Sequence, residues 1–90
     1  MGHTIREKHR LVQRVRRIRG QVEAVERALN AEIACADVLQ LIASVRGAIN
    51  GLMGEVMEDH IREHIVDADG PTKRRHVAKE LIEVVRAYLK

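Results

Sequence analysis

Leu11, Val15, Ile18, Val22, Val25 and Leu29 recur at steps of 4-3-4-3-4, a spacing that an α-helix gathers onto one face. Val38, Ile42, Val45, Ile49, Leu52 and Val56 repeat it, with Leu41, Ala48, Met53 and Met57 widening the stripe. Such a seam belongs to helices packed nearly parallel or antiparallel to a neighbour. Helix 1 is expected from about Thr4 to Asn30, with Thr4 and Glu7 as a capping box, and the pattern weakens at Asn30-Ala31-Glu32. Helix 2 is expected from about Ala34 to Ile65. Asp67-Ala68-Asp69-Gly70-Pro71 then breaks the chain, and helix 3 begins near Thr72, with Val77, Leu81, Val84, Val85 and Tyr88 as its apolar face. With no internal repeat and no linker, residues 1–90 read as one all-α domain, a three-helix protomer.

The second seam is wide enough for contact on more than one side. Gly47, Gly51 and Gly54 lie inside it. Each costs a helix about 1 kcal/mol relative to Ala, which close approach of another helix would offset. Ninety residues bury a modest fraction of their surface, so oligomerisation or a metal is expected to help. A single cysteine excludes an internal disulfide. Together with the lack of a signal-like or long apolar run, it reads as a soluble cytoplasmic chain with a reduced thiol and no membrane partner.

Charge is segregated along the chain. Residues 1–20 carry net +6, residues 21–69 net −7 and residues 70–90 net +4. Basic ends around an acidic middle suggest a polyanion-binding surface. Arg10, Arg14 and Arg17 form a 4-3 stripe beside the first seam; Arg6 and Lys8 extend it, Arg16 and Arg19 flank it, and Lys73, Arg74 and Arg75 add cations on helix 3. These side chains suit phosphate contacts that fix register without reading bases. One Tyr, no Phe and no Trp leave no stacking platform, which favours duplex DNA over single strands.

His60 and His64 stand at i and i+4, so one helical face presents both imidazoles to a common point. Cys35 lies 25 residues earlier, roughly 37 Å away along a continuous helix at 1.5 Å per residue, so it cannot share an ion with them within one straight segment. If helix 2 pairs antiparallel with helix 2 of a second chain, Cys35 of one approaches His60 and His64 of the other, giving two sites across a two-fold axis. Folding helix 1 back along helix 2 returns His3 to the same end. Taken singly, a cysteine is more often a small buried hydrophobe and a terminal histidine an unstructured residue; their joint convergence argues for a metal site. His9 and His76 fit no such geometry.

With Cys35, His60, His64, the Arg-rich first helix and the run Val45-Arg46-Gly47-Ala48-Ile49-Asn50-Gly51-Leu52-Met53, the chain resembles the CsoR/RcnR/FrmR family of small all-helical bacterial repressors, over essentially its whole length. The residues around His3 and His64 are similar to the nickel/cobalt branch, RcnR. Arg14 to Gln21 and Val85 to Lys90 are similar to the formaldehyde branch, FrmR. The resemblance implies an antiparallel helical-bundle dimer assembled into a disc-shaped homotetramer without a helix-turn-helix. It also implies a repressor that binds operator DNA when free of effector and is released when the effector binds. Effector choice then follows His3, Cys35, His60 and His64, the pattern associated with RcnR. The copper branch has Cys at the last of these positions, and persulfide sensing needs a second Cys.

Three imidazoles and a thiolate suit Ni(II) or Co(II) as effector, with Zn(II) able to occupy the site in vitro. Gly2, through its amine once Met1 is removed, and Glu63 are second-rank ligands, the latter also able to orient an imidazole. Metal engaging His3 would order the start of helix 1, which carries the DNA-binding charge. Two alternatives stand beside this reading. One is a formaldehyde-responsive repressor with a methylene bridge from the Gly2 amine to Cys35, weakened by the absence of the Pro that FrmR-like chains carry at position 2. The other is a metal buffer or chaperone with no DNA role. An enzyme is not expected, since no oxyanion hole or carboxylate orienter accompanies Cys35.

Overall fold

The structure is a computed structural model that describes residues 5–66 and 69–89. It consists of α1 (Ile5–Asn30), α2 (Cys35–Ile61), a π-helical segment (Arg62–Val66) and α3 (Pro71–Tyr88), with no strand among the described residues. The three helices fall where the apolar periodicity places them. Thr4, the expected cap of α1, lies outside the described residues, and Glu7 sits in the first turn of α1, where a carboxylate complements the helix dipole. The described chain divides between Gly54 and Glu55 into two compact units.

In the first unit, α1 and α2 are joined by a short turn whose hydrogen bonds explain the fading of the sequence pattern after Asn30. Ile33 N–H donates to the Ala28 carbonyl at 3.2 Å and Glu32 N–H to the Leu29 carbonyl at 3.1 Å. These are the paired 6→1 and 5→2 bonds of a Schellman motif. The motif needs a left-handed residue after the helix, and Glu32 takes that place with φ 54°. Ala34 then accepts from the N–H groups of Asp37 and Val38, at 3.0 and 3.2 Å, and α2 begins at Cys35. Arg14 of α1 reaches Gly51 of α2. Both lie sixteen residues from the turn that links the helices, as an antiparallel hairpin requires.

The 4-3 seams resolve into two ladders with different fates. Leu11 and Ile18 on α1 and Val38 on α2 are buried, joined by Ala28, and Val25, Val45 and Leu52 are partly buried. The intervening positions Val15, Val22 and Leu29 on α1, and Ile42 and Ile49 on α2, are between 46% and 59% exposed. Each helix therefore spends alternate seam positions inside its own chain and leaves the others open. The close packing expected at the three glycines is also partial. A Cβ at Gly47 or Gly54 would meet nothing within 4 Å, whereas one at Gly51 would collide with the Arg14 guanidinium.

In the second unit, α2 ends at Ile61, four residues short of the expected Ile65, and the chain continues as the π-helical segment. α3 packs against that segment. Gly70, at φ 100° and ψ 165°, precedes Pro71 at the first position of α3, where a missing N–H costs nothing and φ is already helical. Gly70 admits a backbone that an L side chain would strain, so this breaker acts through both of its residues. Among the described residues, no helix is long and apolar enough to cross a membrane.

Glu32→Gly is expected to raise the unfolding free energy by about 1 kcal/mol, because glycine enters the left-handed region without the Cβ–carbonyl clash. Chemical denaturation at fixed protein concentration checks it, and a loss of stability would contradict the Schellman assignment.

Candidate functional site

His60 stands in the last turn of α2 and His64 in the π-helical segment. Their rings come together, with centroids 4.8 Å apart and planes tilted by 48°. The i, i+4 pairing expected of a plain α-helix thus persists where the helix widens. Single π-helical turns are frequent at functional sites.

Glu63 lies beside this pair. Its Oε2 is buried with no hydrogen-bond donor and lies 4.0 Å from His64 Nε2. A buried carboxylate oxygen without a donor is costly, and a cation held by the neighbouring imidazoles would satisfy it. Two imidazole nitrogens and a carboxylate oxygen form a donor set suited to Ni(II), Co(II) or Zn(II). Among the described residues, no group of three His, Cys, Asp or Glu side chains converges on a single ion. His60, Glu63 and His64 are therefore neighbours that do not by themselves form a metal site among the described residues.

Cys35 is the first residue of α2, exposed and unbridged, at the opposite end of that helix from His60. His3 and Gly2 lie outside the described residues. His9 and His76 are both exposed, and His76 Nε2 is 3.8 Å from a carboxylate oxygen of Glu80.

The ion pairs around the histidines involve Glu58, Asp59 and Arg62, three residues that the sequence did not single out. Asp59 is the one buried charged side chain among the described residues, at 6% exposure, and its Oδ1 lies 3.8 Å from the Arg62 guanidinium. The same guanidinium donates to Glu58 Oε1 at 3.1 Å. Arg62 thus ties two acidic residues of the last α2 turn to the start of the π-helical segment. The acidic run before His60 was the available signal, although nothing in its spacing says which carboxylate is buried.

Of the basic residues, Lys8, Arg10, Arg16, Arg17 and Arg19 on α1 are exposed, and Arg6 lies in its first turn. Arg14 is partly buried, with its guanidinium against Gly51. Lys73, Arg74 and Arg75 are exposed at the beginning of α3, whose first turn has no acidic residue. Arg74 is partly committed inside its own unit, because its Nε donates to the Ile65 carbonyl at 2.9 Å. Position and charge class are legible in sequence for all of these, whereas the engagement of Arg14 and Arg74 depends on what the second helix of each pair brings near.

A model of the family described as metal-sensitive transcriptional repressor matches residues 7–87. The transcriptional repressor RcnR of Citrobacter koseri is 44% identical over 90 residues, with both chains covered in full. A protein encoded in the bioA 5′ region of Serratia marcescens is 52% identical over 91 residues, again with full coverage of both. Among solved structures, a Glu-to-His variant of the formaldehyde-responsive regulator FrmR from Salmonella enterica serovar Typhimurium superposes with a TM-score of 0.85 at 47% identity. That match covers 96% of this chain and 98% of the other.

Arg74→Ala is expected to free the Ile65 carbonyl and cost about 1 kcal/mol. It should speed amide exchange across residues 62–66 more than elsewhere. Unchanged exchange there would show that the Arg74 bond does not hold the segment.

Proposed function

The chain belongs to the metal-sensitive transcriptional repressor family, and from that premise we propose that it is a cytoplasmic repressor of operator DNA whose effector is Ni(II) or Co(II). The chain is accordingly a non-enzymatic regulator, and the effector choice rests on one local observation. His60 and His64 are paired beside a buried Glu63 oxygen that lacks a donor. His3 and Cys35 are proposed to complete the donor set, with Gly2 and Glu63 as further ligands.

Because Cys35 opens α2 and His60 nearly closes it, the proposal takes Cys35 from a second copy. The open ladders support a second copy: Val15, Val22, Leu29, Ile42 and Ile49 keep about half their surface in solvent. Burying a side chain of this kind fully is worth about 1.5–3 kcal/mol. An antiparallel dimer, further paired into a tetramer, would cover them. The DNA face is proposed to be Arg6, Lys8, Arg10, Arg16, Arg17 and Arg19 on α1, joined by Arg14 when its guanidinium leaves Gly51, with Lys73, Arg74 and Arg75 on α3. Cations in the first turn of a helix oppose its dipole, and although Arg74 gains a hydrogen bond to the Ile65 carbonyl, the basic opening of α3 suits an anionic partner.

Release by metal requires tighter metal binding to the arrangement that does not hold DNA, with the coupling equal in both directions and typically about 1–3 kcal/mol. Protons compete for thiolate and imidazole, so the response weakens as pH falls.

A second reading keeps the repressor but exchanges the effector. Cys35 is exposed at the start of α2, and the structurally similar FrmR is a formaldehyde-responsive regulator. Peptide mass spectrometry after formaldehyde treatment distinguishes the two. A methylene bridge between the Gly2 amine and Cys35, accompanied by DNA release, would establish the aldehyde reading. A metal buffer or chaperone without DNA function is tested by a salt-dependent gel shift on the DNA upstream of the chain's own coding region.

The metal reading predicts that Cys35→Ala and His64→Ala each abolish cobalt-induced release of DNA. Mixed dimers of a Cys35→Ala chain with a His60→Ala chain should regain one intact site of the two. Release that is unaffected in either single variant would sink the metal-sensor assignment, and failure of the mixture to recover would argue against a site shared between chains.

A further inference from the structure

Gly51 is the one glycine of α2 whose missing Cβ is occupied by something: the Arg14 guanidinium lies against it, and a Cβ there would collide with Nη2 and stand 3.2 Å from Cζ. Gly47 and Gly54 have open space within 4 Å, so the requirement is particular to this position. Arg14 is also unlike its neighbours, since the other basic side chains of α1 from Lys8 to Arg27 are exposed and it alone is partly buried. A glycine in a helix interior costs about 1 kcal/mol relative to alanine, and here that cost coincides with the seating of a charged head group in the α1–α2 groove.

We infer that Gly51 is a positioning residue for the DNA face: it seats the Arg14 guanidinium in the groove and so withholds one cation of α1 from phosphate. The inference rests on the proposed DNA-binding role and deepens it. Two states of one side chain follow. Seated, Arg14 joins the two helices of the hairpin. Displaced, it extends from the same stripe as Arg10 and Arg17 and adds one phosphate contact. The seat therefore sets how much of the α1 charge meets DNA, without any change in the helices themselves. A Cβ at residue 51 meets the far end of a flexible side chain, which can move aside without disturbing the backbone.

The test compares four full-length chains: unsubstituted, Gly51→Ala, Arg14→Gln and the double variant. Binding of each to a duplex carrying the chain's own upstream sequence is measured across a salt series, without metal. Each phosphate neutralised adds about 0.9 to the magnitude of the slope of log affinity against log salt. Gly51→Ala should steepen the slope by about that amount, and the double variant should show the slope of Arg14→Gln alone. A slope that is unchanged or shallower in Gly51→Ala, or one that steepens equally in the Arg14→Gln background, would overturn the inference.

Thermal unfolding of the same four chains without DNA separates this result from a failure of the functional reading. Seating predicts non-additive Tm shifts, with Gly51→Ala raising Tm more once Arg14 is replaced. Additive shifts overturn the seat whatever the DNA result. Non-additive shifts together with no salt-dependent DNA binding by the unsubstituted chain would leave the seat standing and refute the DNA role built on it.

Discussion

The structure depends on how a 90-residue chain divides its apolar side chains between itself and a neighbour. On α1, Leu11 and Ile18 are buried while Val15, Val22 and Leu29 are open; on α2, Val38 is buried while Ile42 and Ile49 are open. The seven-residue repeat that aligns the buried set also aligns the open set on an adjacent stripe, because positions three or four apart share neighbouring faces of one helix. Among the described residues four apolar ones are buried, Leu11, Ile18, Ala28 and Val38, which is few for a chain that is 46% hydrophobic. The hairpin's own packing consumes only part of what the sequence supplies. The proposed antiparallel pairing, which would bring Cys35 toward His60 and His64 of a second copy, would draw on the open part, so that assembly and ligand chemistry would rest on the same surplus.

The helices were legible because their periodicity extends over more than twenty residues apiece, and the Gly70-Pro71 stop was legible because both residues restrict the backbone. Three features were not. The left-handed turn falls on Glu32, a residue with no preference for positive φ, so hydrogen bonds to Ala28 and Leu29 hold it there rather than its own propensity. The π-helical segment follows an unbroken helical sequence. Its last stretch is tied by Arg74 from the next helix, a contact nine residues away that spacing does not encode. The two ladders were visible as one seam, since the 4-3 pattern does not say which positions a single chain uses.

The candidate site was legible in a similarly uneven way. The His60 and His64 pairing follows from local spacing and survives the change of helix type, because residues four apart in a widened turn still stand on neighbouring faces. The condition of Glu63 could not be read, as burial of one carboxylate oxygen depends on what surrounds the end of α2. That condition is chemically the more telling observation. Two imidazoles alone could stack as a polar helix end, whereas the buried Glu63 oxygen without a donor, 4.0 Å from an imidazole nitrogen, is the observation on which the proposed metal role rests. Asp59 shares part of that condition, since its Oδ2 is likewise buried without a hydrogen-bond partner, but its Oδ1 has the Arg62 guanidinium 3.8 Å away.

Charge placement distinguishes the two basic regions by their local cost. On α1 the cations run along the helix, with Glu7 complementing the dipole at its start. On α3 three consecutive cations, Lys73, Arg74 and Arg75, occupy the opening of a helix without an acidic residue in its first turn. A cation in the first turn costs about 0.3–1 kcal/mol, which applies to Lys73 and Arg74 and not to Arg75 beyond that turn, and Arg74 gains a hydrogen bond to the Ile65 carbonyl. Under the proposed DNA-binding role, a phosphate backbone would reverse the sign of the unfavourable placement of Lys73. The same reasoning gives Arg14 a different place from the rest of its stripe: its head group already has a seat within the hairpin, so any gain on DNA must exceed what it loses by leaving Gly51.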